Sequence, residues 1–267
     1  MGLQPSPPRF WRDPALPFVE SRSAIDSRAC YRPHTHATYS IGVVDAGTSV
    51  FASGGHSVRL MAGTLVAVPA GCVHACNPAP DGPWSYQMLH LDAAWLESTL
   101  AQANAPRSPS HALVLRAPSA YEAFCALNRQ LFSDVPTADK EAALTKFLVQ
   151  GAWRSGDVLA LSPCTTSGRL ARVQALLQAR YAEPLPLSTL AQAANMAPHT
   201  LVRAFRAATG LTPHAYQLDL RINAARGLLR VGSAPAAVAH ELGFYDQSHF
   251  QNAFKQRVAA TPGDYRR

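Results

Sequence analysis

Three histidines in the first third of the chain could hold a metal or a polar ligand. His34 and His36 flank Thr35, and on an extended strand residues i and i+2 point to one side. His74 follows inside the segment Gly63 to Asn77. Three neutral imidazoles can bind Zn²⁺ or Fe²⁺ and leave a coordination position open. Equally, they can line or close a small-molecule pocket as hydrogen-bonding groups. Tyr39, Tyr86 and His90 are candidates for the same cavity. A second constellation lies near the other end of the chain, in Gly243–Phe254. Gly243 can end one helix, Asp246 can cap the next, and Phe250 and Phe254 share a face. Gln247, Ser248, Gln251 and Asn252 then lie off the buried face, where short amides and hydroxyls can read base edges. The competing reading is an ordinary polar surface helix.

The elements that must position these residues fall into three blocks. From Tyr39 to Leu91, short alternating or β-branched runs (Tyr39–Val44, Ser49–Ala52, Ser57–Leu60, Thr64–Val68 and Ser85–Leu91) are closed by Gly or Pro. Many short strands with regular turns predict an all-β barrel or sandwich. Apolar residues at helical spacing then predict two helices, one from Pro118 to Phe132 and one capped by Thr137. The segment from Ser155 to Gly168, rich in Ser, Thr, Pro and Gly, reads as a linker. Beyond it every apolar pattern is helical. Ser188 caps a short helix, Pro198 opens a second that ends at Gly210, and Thr212 and Pro213 open a long helix to about Val231. A short helix over Ala234–Leu242 then leads to the polar helix. Short helix, turn, second helix therefore occurs twice, with Leu201 matching Phe250 and Phe205 matching Phe254.

Charge follows the same division. Residues 1–165 carry 12 Lys/Arg and 12 Asp/Glu, whereas residues 166–267 carry 12 and 5, so the whole excess of +7 lies in the last hundred residues. A basic domain with two helix-turn-helix units points to duplex DNA. The Pro-rich N-terminus lacks the apolar run of a secretory signal, and no run approaches a membrane span, so a cytoplasmic location is expected. Cys72 and Cys76 bracket His74 without the second pair of a zinc motif. The five cysteines, odd in number, read as reduced thiols.

Two resemblances follow. His34-Thr35-His36 with Gly47, and Gly63, Pro69, Gly71, His74 and Asn77, resemble the two motifs of the cupin superfamily, in which such histidines join a Glu around a metal. That Glu is missing after His36, where Tyr39, Ser40 and Ile41 stand, and the departure favours a small-molecule sensor. Leu187–Arg267 resembles the DNA-binding domain of the AraC/XylS transcriptional regulators through Leu190-Ala191, Leu201, Arg203, Phe205, Gly210, Pro213, Tyr216, Arg221, Ala225, Gly243-Phe244, Ser248, Phe250, Phe254, Pro262 and Tyr265-Arg266. A cupin-like barrel, two helices and this domain form that family's common layout.

The resemblance implies an α+β multidomain fold: a flexible arm (1–20), a sensor barrel (21–105), a helical dimerisation segment (106–158), a linker (159–168) and a double helix-turn-helix domain (169–267). It implies a regulator of transcription, with activation the family's commoner mode and the sign left open by the sequence, with promoter DNA, a small-molecule effector, RNA polymerase and a second copy of the chain as partners, and with no catalytic residue and no cofactor. Base-facing positions would be His199, Thr200, Val202 and Arg203 in the first unit, and Gln247, Ser248, Gln251 and Asn252 in the second. Arg206, Arg226, Lys255 and Arg257 would contact phosphates. Ala197 stands where a Ser cap is usual. The alternatives are a metal-dependent cupin enzyme with a basic appendage, and a DNA-binding protein whose barrel only dimerises.

Overall fold

A computed structural model describes residues 8–80, 82–155, 157–163, 166 and 168–266. The N-terminal domain contains ten strands: β1 (Arg9–Trp11), β2 (Val19–Ser27), β3 (Tyr39–Ala46), β4 (Thr48–Ser53), β5 (His56–Met61), β6 (Thr64–Val68), β7 (His74–Pro78), β8 (Trp84–Leu91), β9 (His111–Arg116) and β10 (Asp157–Pro163). They form two sheets rather than one closed barrel. The larger runs β1-β2-β8-β3-β6-β9-β10 and the smaller β5-β4-β7. An isolated antiparallel bridge between His34 and His74 ties the first histidine pair to the smaller sheet.

The period-2 alternation of the larger sheet sorts its side chains into two cores. Tyr39, Ile41, Val43, Leu65, Ala67, Leu89, Leu91, Leu113 and Leu115 face three helices, α1 (Ala93–Gln102), α2 (Pro118–Leu131) and α3 (Thr137–Gln150). Ala24, Val44, Val66, Val68, Trp84, Tyr86, Ala112 and Val114 face the smaller sheet, with Phe51 and Leu60 opposite. This parity decides where a candidate ligand residue can point.

The C-terminal domain is all helical: α4 (Gly168–Ala179), α5 (Leu187–Ala194), α6 (Pro198–Thr209), α7 (Pro213–Arg230), α8 (Pro235–Glu241), α9 (Gln247–Val258) and α10 (Pro262–Arg266). The two helix-turn-helix units are α5–α6 and α8–α9. Each has its own core, one around Leu190, Leu201 and Phe205 and one around Val238, Phe250 and Phe254. The 18-residue α7 joins them; at 1.5 Å per residue it is about 27 Å long. Gly243 makes the second turn possible. Its φ is +69°, and a Cβ there would meet the Ala182 carbonyl oxygen at 2.1 Å.

Several expectations are corrected. The stretch expected as a flexible arm contains β1 and the start of β2, both paired into the large sheet; Met1–Pro7 lie outside the described residues. The helical segment expected from 106 begins with strand β9. The expected linker begins inside β10, which pairs with β9, while Gly156, Cys164, Thr165 and Ser167 lie outside the described residues. Helix α1, capped by Asp92, falls where the barrel was expected to continue. Thr212 and Asp246 cap α7 and α9 as expected. Ser188 and Thr137 do not cap, because α5 and α3 begin directly after Pro186 and Pro136. Cys30, Cys76 and Cys125 are free thiols, whereas Cys72 is disulfide-bonded.

Candidate functional site

The residues with ligand-binding chemistry converge on a cavity between the two domains. Its wall on the N-terminal side includes Arg22, Tyr31, His34, His36, Phe51, Val66, Val68, His74, Trp84, Tyr86, Met88 and His90, and the C-terminal domain closes it with Arg226, Arg257 and Val258. Of the six candidate ligand residues, His34, His36, His74, Tyr86 and His90 line it. Tyr39 does not. It pairs in register with Leu91, on the helix side of the sheet, and packs edge-on against Trp153 at 5.7 Å, while its neighbour Ser40 pairs with His90 on the cavity side.

The four imidazoles form one cluster, with ring centroids 4.6–5.0 Å apart for the neighbouring pairs. Burial lowers the pKa of all four, taking His74 to about 4, so they are neutral near pH 7. Their partners then fix three tautomers. His34 Nδ1 lies 2.8 Å from the Arg32 carbonyl and His74 Nδ1 3.0 Å from the Cys72 carbonyl. A carbonyl only accepts, so each Nδ1 carries the proton and each Nε2 a lone pair. His36 is the reverse. Arg226 Nη1 donates to its Nδ1 at 2.8 Å, so its Nε2 carries the proton. The ligand atoms of His34, His36 and His74 lie within 4.8 Å of one another. With Arg226 in place, however, two of the three offer a lone pair and three guanidiniums line the same cavity. The residues present fit a metal poorly.

A polar seam closes the cavity from beneath. Glu20 accepts from Arg226 (3.0 Å), Arg12 (2.8 Å) and Tyr265 (2.8 Å). Burial alone would raise its pKa, but Arg226 and its other cationic neighbours overcome this and hold it down at about 2. Asp219 on α7 accepts from the Thr35 backbone N–H at 2.8 Å and from the Thr35 hydroxyl, and faces Arg257 at 3.6 Å. Burial outweighs these contacts and pushes its pKa up to about 6. Asn223 donates to Thr35, Arg22 to the Val258 carbonyl and Arg230 to the Pro17 carbonyl, each at 2.9 Å. Arg226 and Arg257, expected on phosphates, are thus held at the domain interface. Charge alone could not show which way they face.

The DNA-reading candidates are solvent-facing. His199, Thr200, Arg203 and Arg206 on α6 are exposed and Val202 is half-buried, while Leu201 and Phe205 on the opposite face are fully buried. On α9, Gln247, Ser248, Gln251, Asn252 and Lys255 are exposed over buried Phe250 and Phe254. The far end of α9 supplies Arg257 and Val258 to the cavity. The sequence reading missed Arg22, Tyr31, Trp84 and Met88 as cavity residues. The alternation Glu20, Arg22, Ala24 in β2 was the available signal for Arg22.

Comparison with known proteins agrees with this layout. The AraC-like ligand binding domain model matches residues 19–150 and a helix-turn-helix domain model matches residues 190–267. The transcriptional activator RhaS of Enterobacter sp. (strain 638) is 26% identical, with 94% of each chain covered. The uncharacterised regulator YbfI of Bacillus subtilis (strain 168) is 26% identical over 81% of this chain and 80% of its own. Among solved structures, an apo point variant of ToxT from Vibrio cholerae strain SCE256 has a TM-score of 0.60 at 12% identity, covering 93% of this chain and 96% of that one. Wild-type ToxT with a bound unsaturated fatty acid has a TM-score of 0.57 at 13% identity, covering 100% and 97%. Two domain models in family order, full-length relatives and the two exposed reading helices agree: the chain belongs to the AraC/XylS family of DNA-binding, effector-controlled regulators of transcription.

Proposed function

We propose that the effector of this regulator binds in the interdomain cavity and acts on DNA chiefly through α9. One observation carries the reading: a single 12-residue helix presents Gln247, Ser248, Gln251, Asn252 and Lys255 to solvent and Arg257 and Val258 to the cavity. A ligand that spreads or tightens the walls must move that helix, because packed helices shift as rigid units. The likeness to ToxT, determined with a fatty acid bound, supports a small-molecule site in this architecture. The imidazoles then serve as hydrogen-bonding groups, without a metal cofactor, and the chain performs no catalysis.

In this reading the protein is a cytoplasmic activator that contacts RNA polymerase, as the relatives named activators suggest. No helix among the described residues is long and apolar enough to cross a membrane. It acts as a homodimer through α3, whose outer face carries Ala138, Ala142, Thr145 and Val149. Promoter-fragment titration of wild type and Asp219→Ala tests the coupling. Loss of the Thr35 and Arg257 contacts is expected to change promoter affinity by about fivefold or more, the lower end of the usual range of coupling energies. Unchanged affinity would remove the α7 seam from the mechanism.

A further inference from the structure

The charges around the cavity do not balance. Arg22, Arg226 and Arg257 line it and Arg12 stands behind. Among the described residues only Glu20 and Asp219 answer them through ion pairs, and both are already engaged: Glu20 with Arg12, Arg226 and Tyr265, and Asp219 with Thr35 and Arg257. Arg22 is 8% exposed and, among the described residues, forms no ion pair with a carboxylate. Its Nη atoms donate to the Val258 carbonyl and the Tyr31 hydroxyl, and its Nε is buried without an acceptor. The rings of Phe10, Tyr31 and Tyr86 lie 5.4–5.6 Å from its guanidinium carbon. They attract the charge but leave that N–H unpaired. A buried, incompletely bonded guanidinium on a cavity wall calls for an anion.

The rest of the wall narrows the class. His34 and His74 each turn a lone pair, and no proton, from Nε2 toward available partners, so they require a donor. A dication would be repelled by three guanidiniums and would have to compete with Arg226 for His36. A ligand hydroxyl meets neither obstacle. Phe51, Val66, Val68, Trp84 and Met88 supply the apolar remainder.

We propose that the cavity binds a small hydroxylated organic acid, its carboxylate on Arg22 and its hydroxyl donating to His34 or His74. This rests on the reading of the cavity as the effector site. The ring or chain between the two polar groups lies against Trp84 and Met88. The acid supplies the negative charge that the interface lacks and bridges the N-terminal wall to Arg257 and Val258 on α9.

The test is calorimetric titration of the full chain with 4-hydroxybenzoate, 3-hydroxybenzoate, gluconate, benzoate, methyl 4-hydroxybenzoate, inorganic phosphate and Zn²⁺, together with promoter affinity at saturation. At least one hydroxy acid is expected to bind. Removing its hydroxyl, or esterifying its carboxylate, is expected to weaken binding about tenfold or more each, as for loss of a charge-assisted or buried hydrogen bond. Arg22→Met is expected to abolish the preference for acid over ester. Arg22→Lys, which guards against a folding defect, keeps that preference at reduced affinity. His74→Gln is expected to erase the preference for hydroxylated over plain acid. Equal binding of acid and ester, preferential binding of phosphate or Zn²⁺, or no binding of any acid overturns the assignment. A neutral compound that binds and shifts promoter affinity rejects the acid but keeps the effector cavity. Binding of any probe with no change in promoter affinity rejects the effector reading itself.

Discussion

The two reading helices are built alike and wired differently. α6 and α9 each span 12 residues and bury an i, i+4 pair, Leu201/Phe205 and Phe250/Phe254, against a core of their own. α6 has no side-chain cap, since Ala197 precedes it, whereas α9 is capped by Asp246 accepting from the His249 N–H. The first unit meets the N-terminal domain through an apolar contact, Val73 against its core. α9 ends in the cavity wall, where Arg22 holds the Val258 carbonyl and Asp219 faces Arg257. In the proposed reading, the first unit anchors the protein on DNA and the second reports the state of the cavity.

The largest effects should be the same in both units, because they concern the shared build. Phe205→Ala and Phe254→Ala are each expected to cost about 3–5 kcal/mol of stability, measured by denaturant unfolding. A much smaller loss for either would show that its core can collapse around the gap. Next is DNA contact. Arg203→Ala is expected to weaken specific binding by about 1–3 kcal/mol and relax one base position. Site selection with wild type and mutant checks this, and an unchanged selected sequence would remove Arg203 from the reading surface.

Much of this symmetry was legible in the sequence, because helical periodicity and the Asp246 and Thr212 caps are local signals. The wiring was not. Arg226 and Arg257 look like two more phosphate contacts in a basic domain, and only the docking of the domains turns them inward. Tyr39 sits among cavity candidates in the sequence, but its parity with Ile41 and Val43 sends it to the helix-side core. β2 escaped notice because Glu20, Arg22, Ser21 and Ser23 break the apolar alternation expected of a strand, and their partners lie up to 245 residues away. His34, His36 and His74 do meet, but not through a strand: His34 and His36 lie in the β2–β3 connection, and an isolated bridge from His34 to His74 brings them together.

Acidification probes the cavity to which only the second unit is wired. His34, His36, His74 and His90 have depressed pKa values in the folded chain. Their contribution is full above the ordinary value of 6.5 and is lost as pH falls, toward about 4 for His74. Asp219 runs oppositely: its contribution is full below 3.8 and lost as pH rises through about 6. Four imidazoles outweigh one carboxyl, so the melting temperature should fall between about pH 7 and pH 5. A flat or rising profile would mean that the cluster opens to solvent before it titrates.

The smallest effects concern the caps. Asp246→Ala should cost about 1 kcal/mol, while Ala197→Ser should add about 0.5–1 kcal/mol to the uncapped helix. Opposite shifts in melting temperature confirm the asymmetry, and shifts of one sign exclude it.

Everything proposed for the cavity turns on α9 as its link to DNA. Arg22→Met breaks the bond to the Val258 carbonyl from the N-terminal side, without altering any residue of the C-terminal domain. Its promoter affinity, relative to wild type, is to be measured on the intact site and on sites with either half scrambled. A change is expected on the intact site that persists when the α6 half-site is scrambled and vanishes when the α9 half-site is scrambled. A change that survives loss of the α9 half-site, or no change on any site, would rule the link out.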